Sequence, residues 1–139
     1  MESKAKTNNR VGLYYFPDDN HYADAHVETW LPEIRALGAG WLALYARPQR
    51  NVPEPFVKAL LAAGITPVIH MHIPLDDAPE PAELRAAFQA YAAWGVQYVT
   101  LFDRPNQRES WGRAWAQQGL VDRFLDHFIP LANEAIRAG

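Results

Sequence analysis

Four short apolar runs mark the chain: "VGLYYF" (11–16), "WLALYA" (41–46), "TPVIHMHI" (66–73) and "VQYVTLF" (96–102). Each is nearly continuous rather than alternating, the pattern of a strand in a parallel sheet covered on both faces. Between the runs the period changes. Val27, Trp30, Leu31, Ile34 and Leu37 recur at helical spacing, as do Phe56, Val57, Leu60 and Leu61, and then Leu84, Phe88, Tyr91 and Trp94. Such spacing gathers apolar side chains on one side of a helix. Leu120, Val121, Phe124, Leu125, Phe128 and Ile129 mark a fourth helix, which Pro130 is expected to kink or break.

The punctuation supports the same units. "RALGAGW", "LAAGITP" and "AAWGVQY" place Gly38, Gly64 and Gly95 where helices end, just before the next strand. Pro53, Pro55, Pro79 and Pro81 fall where the second and third helices begin, positions that tolerate a missing N–H. The repeat is that of βα units of roughly 30 residues. The fold class is therefore α/β, with four consecutive βα units over residues 11–139 as a single domain and residues 1–10 as a disordered tail. At "NEAIRAG", Gly139 takes the place of a glycine before a fifth strand. An eight-unit barrel takes about 250 residues. The expected architecture is thus the N-terminal half of a TIM (β/α)8 barrel, with a small open α/β sheet as the alternative. Strands one and four of a half-barrel have unpaired edges, so the expected partner is another copy, as a homo-oligomer, or a missing second half.

Composition narrows the function classes. Of 139 residues, 49% are hydrophobic and 21% charged, which is globular rather than disordered, and long enough for a core. A net charge of -3 gives no basic field for nucleic acid, and Lys4, Lys6 and Arg10 read as a solvated tail. With no cysteine, disulfides and thiolate metal centres are excluded. No apolar run approaches the roughly 20 residues of a membrane span. "MESKAKTNNR" lacks the apolar core of a signal peptide, so a cytoplasmic protein is expected; a secreted one whose signal was removed or replaced reads the same.

Candidate chemistry collects at the carboxyl ends of the four strands, where parallel α/β folds carry their sites. After strand one stand Asp18, Asp19, Asn20, His21 and Tyr22; after strand two, Arg47, Gln49 and Arg50. Strand three ends in His70 and His72, which share a face because side chains alternate. The strand-four loop brings Asp103, Arg104, Asn106 and Glu109, then Trp111 and Trp115. Asp18, Asp19 and Asn20 also suit an ordinary turn. Trp30, Trp41 and Trp94 lie inside elements and are expected in the core, which leaves Trp111 as the ring for stacking on a sugar.

These loops resemble a known family. "GITPVIHMHIP" resembles the third strand of clan A glycoside hydrolases, which include the β-glucosidases, with His70 on the sugar-contacting histidine and Pro74 on the following proline. "LFDRPN" resembles the clan's strand-four Asn-Glu-Pro-Asn signature, and "GLYYFP" resembles its first strand. Asp103 falls on the first Asn, Arg104 on the Glu, Pro105 on the Pro and Asn106 on the last Asn. The resemblance implies a TIM barrel and carbohydrate binding with His70 in the site; the candidate substrate-binding residues are His70, His72, Arg104, Asn106, Trp111, Asp18 and Arg47. It also implies a departure. The clan's signature glutamate is the acid/base of a retaining mechanism that needs two carboxylates roughly 5–5.5 Å apart. Arginine stays protonated and does no such work. The clan's nucleophile comes from a seventh strand, beyond these four units. Asp103 and Glu109 are the substitute catalytic candidates, and hydrolysis is expected only if a second half completes the barrel.

Three readings follow. The first is a glycosidase-like half-barrel that binds carbohydrate without complete catalytic machinery. A second is a binding or scaffold protein in which the planar fork of Arg104 takes an anionic group such as a uronate or phosphate. A third is a metal-dependent hydrolase using His70, His72 and Asp103 with Asp18 or His21, although no H-E-x-x-H spacing supports it. The expected ligand is a carbohydrate or other small molecule, with no cofactor or metal assigned and neither nucleic acid nor membrane as partner.

Overall fold

The structure, a computed structural model, describes residues 10–112 and 119–139. Its elements alternate: β1 Gly12–Tyr14, α1 Asp24–Ala36, β2 Trp41–Ala46, α2 Glu54–Ala62, β3 Thr66–Met71, α3 Pro81–Trp94, β4 Tyr98–Leu101 and α4 Leu120–Arg137, with a 3-10 turn at Arg108–Ser110. The strands form one parallel sheet in the order β1-β2-β3-β4. Gly38, Gly64 and Gly95 end the first three helices at φ of 73°, 74° and 98°, the left-handed region that glycine enters without a Cβ penalty. Pro53 caps α2 and Pro81 opens α3, as the sequence indicates.

Parallel crossovers are almost always right-handed. When each one also advances to the next strand in order, every helix lands on the same side of the sheet. The burial follows this rule. Leu42, Leu44, Ala46, Ile69 and Met71 point at the helices and are buried in one core with Ile34, Phe56, Val57, Leu60, Leu84 and Phe88. On the opposite face Tyr14, Trp41 and Tyr98 are 49%, 40% and 55% exposed. The strands thus alternate in burial, in contrast to the expectation of two covered faces. Trp41, expected in the core, is exposed for this reason; Trp30 on α1 is 38% exposed, with Phe16 edge-on to its ring, and Trp94 is half-buried.

Pro130 does not break the fourth helix, and α4 runs through it to Arg137. Packing beyond the proline outweighs the lost backbone bond. Leu131 is buried, and buried Glu134 accepts a 2.5 Å hydrogen bond from Arg85 Nε on α3. Further back on α4, Phe124 meets Phe102 edge-on at 5.5 Å, fixing the helix to the residue that follows β4. A second stripe on α4, Val121, Leu125, Ile129 and Ile136, is exposed.

Leu44, fully buried between sheet and helices, should show the cost of a core cavity. Leu44→Ala should lose about 2–5 kcal/mol in urea unfolding, whereas Val121→Ala on the exposed stripe should stay within about 0.5 kcal/mol.

Candidate functional site

The bare sheet face is the floor of an open trough of about 1130 Å³. Tyr14, Trp41, Val68, Tyr98 and Thr100 line it, and Asp103 and Arg104 stand at its carboxyl end. The indole of Trp41 lies directly over Gly12, where an added Cβ would sit 1.6 Å from Cε2 of that ring. The near end of the floor is therefore a glycine and tryptophan contact that tolerates no side chain on β1 at that point.

At the carboxyl end the alternation of β3 turns His70 and the adjoining His72 into the trough. Tyr14 pairs in register with Ala43, which in turn pairs with Val68. The small Ala43 side chain leaves the phenol ring room to cross β2. The Tyr14 hydroxyl thereby lies 2.7 Å from His70 Nδ1 and 3.1 Å from His72 Nε2. The other nitrogen of His70, Nε2, is 3.1 Å from the Phe102 carbonyl. A carbonyl only accepts, so Nε2 carries a proton, and in the neutral tautomer this leaves the Nδ1 lone pair of His70 to the Tyr14 O–H. The Tyr14 oxygen in turn accepts from His72 Nε2–H. One directed chain results, from His72 through Tyr14 and His70 to Phe102.

The backbone after β4 is bent to make this chain. Phe102 and Arg104 have φ of 68° and 42°, left-handed values that cost a side-chain-bearing residue about 1–3 kcal/mol each. Between them Asp103 places Oδ1 3.9 Å from His70 Nε2, and its Oδ2 accepts from Arg104 Nε at 3.0 Å. The ring of Tyr45 packs on His72 at 4.3 Å. Burial, then the charge of Asp103, raises the pKa of Tyr14. Burial, then the neighbouring His70, lowers that of His72. Among the described residues, His70, His72 and Asp103 are the group whose ligand atoms converge, all within 4.8 Å of one another.

The other candidates lie apart from this cluster. Asp18 caps its own turn, accepting from the Asn20 N–H at 2.8 Å and pairing with His21 Nδ1 at 2.7 Å. The Asn20 bond foremost, then His21, holds its carboxyl below the usual range. Arg47 pairs with Asp19 at 2.6 Å, and Arg50 reaches the same carboxylate at 3.6 Å. Asn106 and Glu109 are exposed on the strand-four loop. Trp111 is not a stacking surface: it is 1% exposed, its indole N–H donates to the Pro105 carbonyl at 2.6 Å, and the Arg123 guanidinium lies 5.7 Å over the ring. The loop folds back on this ring and uses it as a core. Trp115, Lys4 and Lys6 lie outside the described residues.

Three other phenols tie the surrounding loops. Tyr15 donates to the His21 carbonyl at 2.9 Å, Tyr22 donates to the Tyr45 carbonyl at 2.7 Å, and Tyr91 accepts from the Val52 N–H at 2.9 Å. Burial raises all three pKa values, those of Tyr15 and Tyr91 to about 12. The trough residues Trp41 and Tyr98 carry no motif. Their only signal in the sequence is strand parity, each standing an even number of positions from a residue on the open face.

No family model, curated protein or solved structure matches the chain.

The buried setting of His72 has a measurable consequence. Its ring should titrate below the ordinary 6.5 in an NMR pH series. The unfolded chain then takes up the proton first as pH falls, so stability should decline from about pH 7 downward to the folded midpoint. His72→Asn should remove that part of the decline, and Asp103→Asn should lower the His72 midpoint further. A His72 midpoint at or above 6.5 would contradict the burial argument.

Proposed function

We propose that the chain is the N-terminal half of a glycoside hydrolase-like (β/α)8 barrel and that its trough binds carbohydrate without the clan's catalytic pair. One observation carries this reading: the strand order runs 1-2-3-4 without reversal and leaves one sheet face bare. A doubly wound sheet reverses its order at a switch point and covers both faces. A singly wound sheet covers its inner face by closing on itself, and the residues on this inner face are those of a sugar site. Tyr14, Trp41 and Tyr98 offer rings to the C–H faces of a pyranose, while His70, His72 and Asp103 offer hydrogen bonds to its hydroxyls. Arg104 stands where the resemblance puts the acid/base, and its side chain is 66% exposed and pairs with the adjacent Asp103. That exposure supports a second reading, in which the guanidinium receives the carboxylate of an acidic sugar.

Calorimetric titration with neutral and acidic oligosaccharides separates the two. On the first reading neutral sugars bind, and Trp41→Ala or Tyr98→Ala weakens them about tenfold, or 1.4 kcal/mol, while Arg104→Ala has no effect. On the second, only acidic sugars bind and Arg104→Ala abolishes it. Absence of binding by either class would remove the carbohydrate reading. Neither reading gives these 139 residues the clan's hydrolytic turnover.

The bare face and the edges of β1 and β4 call for a partner that covers them, another copy in a homo-oligomer or a second half-barrel. Light scattering should find a dimer or larger species. A monodisperse monomer would count against it.

A further inference from the structure

We propose that His70, His72 and Asp103 form a binding site for a divalent transition cation of the zinc and manganese class at the carboxyl end of the trough. The inference does not rest on carbohydrate binding, since the donors need no sugar to act as ligands.

Three features argue for it. The donor set comes first: two imidazoles and one carboxylate are the N and O ligands that zinc, manganese and ferrous iron accept, and three protein ligands leave positions open toward the trough. Distance is the second. The ligand atoms lie within 4.8 Å of one another. Around an ion with bonds of about 2.0–2.2 Å, tetrahedral ligands sit roughly 3.4 Å apart. Closing that difference takes torsional adjustment of side chains that are only partly buried.

Orientation is the third and most specific. A metal-bound histidine characteristically gives its remaining N–H to a carbonyl or carboxylate, which fixes the tautomer and aims the other nitrogen. His70 has this support, with Nε2 3.1 Å from the Phe102 carbonyl. Its Nδ1 and the Nε2 of His72 both address one point, now held by the Tyr14 hydroxyl at 2.7 and 3.1 Å. For an ion to take that point the Tyr14 hydroxyl must swing aside and the His72 proton move from Nε2 to Nδ1, so that both nitrogens present lone pairs. The opposing charge is Arg104, whose Nε holds Asp103 Oδ2 at 3.0 Å and which must release that oxygen if the ion is to take it.

The test is titration of the chelator-treated chain with zinc alone, followed by calorimetry. One zinc per chain is expected, with Kd about 1 µM or below. His70→Ala, His72→Ala and Asp103→Asn should each weaken it more than the roughly 10–100-fold that an outer-shell partner costs. His70→Gln repeats the test with a polar side chain, and unchanged thermal melting shows that each variant is folded. His21 and His26, whose rings lie 5.2 Å apart beside Asp18, supply the control pair. His21→Ala should leave binding intact. Binding weaker than about 1 mM, or zinc that survives His70→Gln and leaves with His21→Ala, would overturn the site. Asp103→Asn binding as tightly as wild type would overturn the three-ligand assignment.

Discussion

The handedness of the crossovers governs this molecule more than any single contact. A right-handed connection that always advances by one strand cannot place a helix on the far side of the sheet. The helices consequently bury their apolar sides against Leu42, Leu44, Ile69, Met71 and one another, and the other face keeps its rings in the open. The trough is a product of topology. What the sequence adds is the choice of side chains, aromatic along the floor and titratable at the carboxyl end.

Much of the architecture was legible in advance, because its signals are local. Apolar runs, helical spacing and the glycines at 38, 64 and 95 each reflect a backbone requirement within a few residues. What misled was any inference needing to know what lies across from a side chain. The runs of β2 and β3 read as doubly buried because Trp41, Val68 and Tyr45 are apolar, yet these residues face the trough. Pro130 read as a breaker because the stabilising Glu134 to Arg85 pair joins residues 49 positions apart. His70 and His72 were legible as a pair by parity. Tyr14, which joins them, was not, since the link spans two strands and depends on the small size of Ala43. Trp111 looked like a platform by position and composition, and only the return of its own loop shows it to be filler.

The loop after β4 is organised around Asp103, between two residues in left-handed backbone. Phe102 turns its carbonyl onto His70 and its ring onto Phe124, so one strained residue joins the polar cluster to the apolar core. Arg104 turns outward and pairs back to Asp103. A glutamate there would project a proton donor from the same pivot. With arginine, the loop has a fixed positive charge at the rim and its carboxylate one residue earlier, close to the imidazoles.

The buried phenols bear on how such a site would meet a ligand. Tyr22 joins the first loop to the end of β2, and Tyr91 joins the second loop to α3, each through one backbone hydrogen bond. With pKa values raised by burial, these hydroxyls hold their protons far into the alkaline range. Segments already fastened before encounter give up little conformational freedom on binding, and ordering an unfastened side chain costs about 0.5–1.5 kcal/mol. For the first two loops that ordering is settled when the chain folds.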